Sequence, residues 1–137
     1  MTWTHMKGFN LGRLEALTAA EVATVIKQLK SGKAAGRDEI RPKLLKLLAW
    51  EGILWLTKVC QPAFKLGKTP KDWQTGVIIP IYKKGDHKQC ANNRGISVLS
   101  LPGKVYVKCL ERRCRQTVEP ALENGQCGFR PGRSTTD

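Results

Sequence analysis

Apolar positions fall into blocks of different period, and the period changes partway along the chain. Val22, Val25, Ile26 and Leu29 recur at helical spacing, which predicts an amphipathic helix. Thr18 followed by Glu21 reads as a capping box at its start, with Leu17 and Val22 as a hydrophobic staple. Ser31-Gly32 marks its end. A second helix is expected from about Pro42, with Leu44, Leu45, Leu47 and Leu48 on its apolar side and Gly52 breaking it. A third runs from about Ile53 to Leu66, with Leu56, Val59, Cys60, Ala63 and Phe64 inward. Pro62 should kink or shorten it, and Gly67 and Pro70 terminate it. The β-branched run Val77-Ile78-Ile79-Pro80-Ile81-Tyr82 then reads as a strand, at an edge or with a bulge because of Pro80. Turn chemistry at Lys83-Lys84-Gly85-Asp86 and a second strand near 95–99 complete a hairpin with a long basic tip. The last helix spans about Leu101 to Val118, with Val105, Tyr106, Cys109, Leu110 and Cys114 available to a core.

This pattern predicts an α+β fold, mainly helical with a small antiparallel β-hairpin. The chain has 137 residues, room for one modest core. Residues 1–17 read as a lead-in, 18–124 as the domain, and 125–137 as a closing segment. From about Gly125 onward the chain is expected to be mobile, with the first helix and the 77–82 strand the best-ordered parts. No apolar run approaches membrane-spanning length, and the first ten residues hold no secretory signal. The expected location is therefore intracellular, cytoplasmic or nuclear, with no membrane partner.

Charge changes the picture. Twenty-four basic residues against eleven acidic ones give a net charge of +13, which points to a polyanionic partner, nucleic acid before membrane. The excess is concentrated between Lys83 and Arg115, where nine basic residues face two acids, Asp86 and Glu111. Lys83, Lys84, Lys88 and Arg94 lie on or beside the hairpin tip, where lysine supplies a point charge and arginine a fork for phosphate. Lys104, Lys108, Arg112 and Arg115 share one stripe of the last helix, a surface suited to a nucleic-acid backbone. The loop from Gly32 to Asp38 lacks the order of a phosphate-binding loop and reads as a basic connector. Five cysteines, an odd number with no Cys-x-x-Cys pair, read as free thiols rather than a disulfide or zinc framework. The eleven acids contain no Asp-Asp pair and only one adjacent pair, Asp38-Glu39. No catalytic site and no metal site are therefore expected.

Four segments, in order, resemble reverse transcriptases of non-LTR (LINE-type) retrotransposons. Residues 33–40, KAAGRDEI, are similar to the loop after the family's first helix. Residues 70–86, PKDWQTGVIIPIYKKGD, and 93–99, NRGISVL, with Lys104, resemble its two fingers motifs. Residues 126–137, QCGFRPGRSTTD, resemble the segment ahead of its palm. The resemblance implies the fingers, with a palm stub, of a right-hand polymerase. By that resemblance Lys83 and Arg94 hold the triphosphate of an incoming deoxynucleotide, and Gln126, Gly128 and Phe129 lie near the template and nascent pair. Asn93 stands where the family carries an aromatic residue. The family's magnesium ions are held by aspartates of two later palm motifs, and neither motif is in this sequence. Asp137 does not replace them; with Ser134 it reads as a capping box. The expectation is a fragment resembling an RNA-directed DNA polymerase, inactive by itself and without cofactor. The alternative is a stand-alone basic nucleic-acid-binding module.

Overall fold

A computed structural model describes residues 15–123, 125–128 and 130–134. Five helices, α1 (Ala19–Gln28), α2 (Pro42–Lys46), α3 (Trp50–Leu66), α4 (Lys71–Gln74) and α5 (Leu101–Val118), accompany two strands, β1 (Val77–Tyr82) and β2 (Asn93–Val98). Short 3-10 turns cover Cys90–Asn92 and Glu119–Ala121. The fold is α+β and mainly helical, as the pattern predicts.

The capping box at α1 is formed. The Glu21 amide donates to Thr18 Oγ1 at 3.3 Å, and the Thr18 amide donates to Glu21 Oε2 at 2.9 Å. Two orphan donors of the first turn are thereby satisfied. Helix α1 stops at Gln28, before Ser31-Gly32, because Leu29 turns extended and packs against the core.

The boundary between α2 and α3 differs from expectation. Helix α2 is a single turn in which Pro42 and Leu45 alone are buried; Leu44 and Leu47 lie in solvent, Leu47 at 83% exposure. The break falls at Leu47–Ala49, and Gly52 sits inside α3. A side chain at 52 would meet Leu48 Cδ2 at 2.8 Å, so the glycine lets Leu48 fold back toward the core instead of ending the helix. Helix α3 also runs through Pro62 without a break, at the cost of the hydrogen bond that the proline cannot donate. Its inward positions are Ile53, Leu56, Thr57, Cys60, Ala63 and Phe64. Val59 is about half exposed, being one residue, roughly 100°, off that line. Gly67 ends the helix with φ +64, a conformation that favours glycine.

Helix α1 packs against both α5 and α3, and more lightly against α2. The core joins Leu17, Val22, Val25 and Ile26 to Leu45, Cys60, Ala63, Leu101, Val105, Tyr106 and Cys109. Leu17, at the end of the lead-in, is thus a core residue. Cys114 is exposed because it lies off the line of Val105 and Cys109 on α5.

The hairpin is regular. Val77 pairs with Val98, Ile79 with Ile96, Pro80 with Gly95, and Ile81 with Arg94. The Lys83 amide donates to the Asn92 carbonyl at 2.9 Å. This fixes the alternation, so Pro80 falls at a non-hydrogen-bonded position where its missing donor costs no ladder bond. No bulge is needed. Only Val98 of the paired residues is buried, and the strands project from the helical body.

Candidate nucleotide and nucleic-acid interface

Side chains alternate between the faces of a strand, and paired residues share a face. Ile81 pairs with Arg94, and the ladder continues through Lys83 and Asn92. Lys83 and Arg94 therefore occupy one face as diagonal neighbours, within reach of a common ligand. Val77, Ile79, Ile96 and Val98 continue that face toward the body. Lys83, Lys84, Lys88 and Arg94 are all exposed, and among the described residues none has a carboxylate within ion-pair distance.

The tip is braced by its own polar groups. Asp86 Oδ1 accepts from the Lys88 amide at 2.9 Å, and the Asp86 carbonyl accepts from Asn92 Nδ2 at 2.9 Å. Gly85 has φ +96, and a side chain there would meet Asn92 Nδ2 at 2.7 Å. The Tyr82 hydroxyl donates to the Gly85 carbonyl, and its ring stacks on His87 with centroids 3.6 Å apart. Lys84 is thus carried on an ordered turn.

The stripe on α5 is not uniform. Lys108 Nζ lies 2.7 Å from Glu111, and Arg115 pairs with both Glu111 and Glu119. Lys108, then Arg115, lower the pKa of Glu111. Among the described residues Lys104 and Arg112 have no such acid. Lys104 lines an apolar groove with Trp73, Leu99, Tyr106 and Val107, and Arg112 lines a crevice beside α1. Gln126 and Gly128 line a third depression with Cys114, Arg115 and Val118. Phe129 and Asp137 lie outside the described residues. The structure therefore brings Lys83 and Arg94 together on one face, with Lys84 on the same hairpin tip, and spreads the described candidates of α5 and of 126–128 along the groove, the crevice and the depression beside α5.

Three features escaped the sequence pattern. Arg113 grips Glu21 with Nε at 2.6 Å and Nη2 at 2.7 Å, also donates to the Glu15 and Ala16 carbonyls, and lies over the Phe64 ring. This fork holds the Glu21 carboxyl at a pKa of about 2. Arg130, with its side chain 9% exposed, binds Glu119 at 2.8 Å and donates to the Glu123 and Gln126 carbonyls. Within the segment expected to be mobile, Gln126 and Arg130 are thereby tied to the end of α5. Third, Ser100 Oγ donates to Asp38 Oδ2 at 2.7 Å. A serine directly before Leu101-Pro102 is the signal that could have shown the cap; nothing in the sequence marks its partner, Asp38.

The two buried thiols of the core are inert. Burial pushes the Cys60 thiol up to about 12 and Cys109 to about 11, so neither supplies thiolate near neutral pH. The described residues contain no cluster of three potential metal ligands. Asp38, one of the adjacent acids, uses one oxygen on the Ile40 amide and the other on Ser100. Among the described residues the acids therefore do not gather as a magnesium site would require. No helix among the described residues is long and apolar enough to cross a membrane.

No family model matches the chain. Over 120 residues it is 33% identical to the probable RNA-directed DNA polymerase from transposon X-element of Drosophila melanogaster, covering 85% of this chain and 13% of that protein. It is 29% identical over 128 residues to the RNA-directed DNA polymerase from mobile element jockey of the same species, covering 90% and 14%. The transposon TX1 uncharacterized 149 kDa protein of Xenopus laevis is 26% identical over 127 residues, covering 91% and 10%. The chain thus spans 13% and 14% of the two Drosophila melanogaster polymerases. Over 85–90% of its length the chain is therefore similar to segments of RNA-directed DNA polymerases from Drosophila mobile elements.

Proposed function

We propose that this chain is a fingers portion, with a palm stub, of a retrotransposon RNA-directed DNA polymerase, and that its hairpin holds the triphosphate of an incoming deoxynucleotide. The observation that carries the reading is the pair Lys83 and Arg94, side by side on one hairpin face and free of carboxylate partners among the described residues. A fork and a point charge together match a triphosphate's oxygens. Lys84, Lys104, Lys108, Arg112 and Arg115 then meet template or primer phosphates, and Gln126, Gly128 and Phe129 approach the templating pair. Phosphoryl transfer needs magnesium held by carboxylates that this sequence does not carry, so the chain alone binds and does not polymerise.

Two measurements test this. Purified chain, primed RNA template, magnesium and deoxynucleotides should give no extension above a protein-free blank; metal-dependent extension by the chain overturns the inactivity. Deoxynucleoside triphosphate binding, followed by calorimetry, should be lost in Lys83→Ala and Arg94→Ala; unchanged affinity in both removes the hairpin from the site.

A second reading, a stand-alone basic nucleic-acid-binding module, is favoured by the bonds of Arg130 to Glu119 and to the Glu123 and Gln126 carbonyls. That module binds RNA or DNA in a salt-dependent way and shows no response to deoxynucleoside triphosphate, which separates it from the first.

A further inference from the structure

The hairpin carries the candidate nucleotide site, yet it makes little contact with the helical body. Its orientation is decided where it joins the rest of the chain. At the exit, β2 passes through Leu99 and Ser100 directly into α5. Ser100 is 2% exposed, and its hydroxyl does two jobs there. It accepts from the Gly103 amide at 3.4 Å, capping α5, and donates to Asp38 Oδ2 at 2.7 Å. Asp38 is held in turn, because its Oδ1 accepts from the Ile40 amide at 3.2 Å. Gly36 completes the seat: a side chain there would lie 2.7 Å from Leu99 C and Ser100 N and 2.8 Å from the Leu99 carbonyl oxygen. Backbone is thus pressed on backbone, and only glycine fits. The loop between α1 and α2 therefore clasps the hinge by which the hairpin hangs.

We propose that Gly36, Asp38 and Ser100 form an orienting lock, and that Asp38 and Ser100 are positioning residues for Lys83 and Arg94. The lock acts by restricting the hairpin to one direction relative to α5. A ligand held by a tip that samples many directions binds with an affinity reduced by the competent fraction. The hydroxyl–carboxylate bond is of the charge-assisted kind, strong enough to bias such an equilibrium. This inference rests on the nucleotide reading above for its functional consequence, but not for its mechanical one.

The test uses the full chain with Asp38→Ala, Asp38→Asn and Ser100→Ala. Amide residual dipolar couplings report the hairpin's orientation relative to α5, and calorimetry with dATP and magnesium reports affinity. In Asp38→Ala and Ser100→Ala the couplings of β1 and β2 should scale down while those of α1 and α5 hold. The dATP affinity should fall about tenfold, the size set by loss of one charge-assisted hydrogen bond from the competent state. Asp38→Asn keeps an acceptor for Ile40 and a neutral hydrogen-bond partner for Ser100, so both readouts should fall between those of the unaltered chain and of Asp38→Ala. Couplings that stay in one common frame in both alanine variants overturn the lock. Scaled couplings with unchanged dATP affinity overturn its positioning role. Absence of dATP binding by the unaltered chain overturns the nucleotide reading and that positioning role, while the couplings still decide the mechanical lock. Gly36→Ala should disturb the junction most, and a chain that keeps native couplings with that substitution also overturns the seat.

Discussion

Glu39 is the only non-glycine residue with positive φ among the described residues, at +55. An L-residue there carries strain of about 1–2 kcal/mol because its Cβ crowds the following carbonyl. The turn is imposed by its neighbours, Gly36 packed on the hinge and Asp38 tied to Ser100. Glu39→Gly should therefore raise the urea midpoint, with a net gain of up to about 1 kcal/mol after glycine's greater freedom in the unfolded chain is counted. A lowered midpoint would show that the glutamate contributes something the backbone does not reveal. Nothing in the sequence pattern signals this strain, since the basic connector reads as ending at Asp38 and Glu39 only as its acidic neighbour. Glu21 gives the second residue-scale expectation. Its folded pKa, about 2 against an ordinary 4.5, is depressed chiefly by the Arg113 fork. Its contribution is therefore present above about pH 4.5 and lost as pH falls toward about 2. The side chain is 34% exposed, so solvent screening cuts the worth to about 1–2 kcal/mol. Glu21→Gln should remove that part of the acid dependence between those limits, measured as midpoints over a pH series. An identical slope in both proteins would assign the acid sensitivity to other carboxylates.

At the scale of elements, β1 and α5 were legible to the residue, and α2 was not. Strand β1 announces itself through a β-branched run followed by turn chemistry from Lys83, and α5 through the apolar positions Val105, Tyr106, Cys109 and Leu110. Between Pro42 and Leu66 nearly every position is apolar or helix-compatible, so local preference does not mark the break. Burial decides it instead: Leu45 and Leu48 turn inward while Leu47 stays in solvent. The candidate site divides in the same way. The shared face of Lys83 and Arg94 follows from alternation once the hairpin is recognised. The pairing state of the α5 stripe does not, because it depends on rotamers of Glu111 and Glu119 as well as spacing. Those ion pairs are exposed and weak singly, yet they compete with phosphate for Lys108 and Arg115. Each phosphate neutralised contributes about −0.7 to −0.9 to the log–log salt slope. Replacing Lys104 and Arg112 by alanine should accordingly flatten the slope for single-stranded RNA by about 1.4, and replacing Lys108 and Arg115 by less. The reverse order would mean that the acids swing away on binding.

For the molecule as a whole, order should follow the packing of α1 between α3 and α5 rather than the regularity of any one element. The hairpin is geometrically complete, but a two-stranded sheet with both faces open is only marginally stable by itself. Local opening is easiest where buried apolar contacts are few. The sequence pattern ranks the 77–82 strand with α1 as best ordered; its solvent-exposed residues in the structure place it lower. At the other end, Arg130 reaches across to Glu119 and to the Glu123 and Gln126 carbonyls with a side chain that is almost fully covered. Truncating a well-covered arginine leaves those acceptors without their donor, which costs more than the loss of an exposed ion pair. Hydrogen exchange should therefore show the slowest amides at Val22, Val25 and Ile26 and in the buried half of α5, with β1 exchanging faster. Amides at 125–128 and 130–134 should show intermediate protection that Arg130→Ala removes while leaving α1 unchanged. Protection of β1 equal to that of α1 would mean that the open hairpin faces are covered in solution. Protection at 130–134 that survives the substitution would transfer the anchoring to the residues lining the depression at the end of α5, Val118 and Leu122 first.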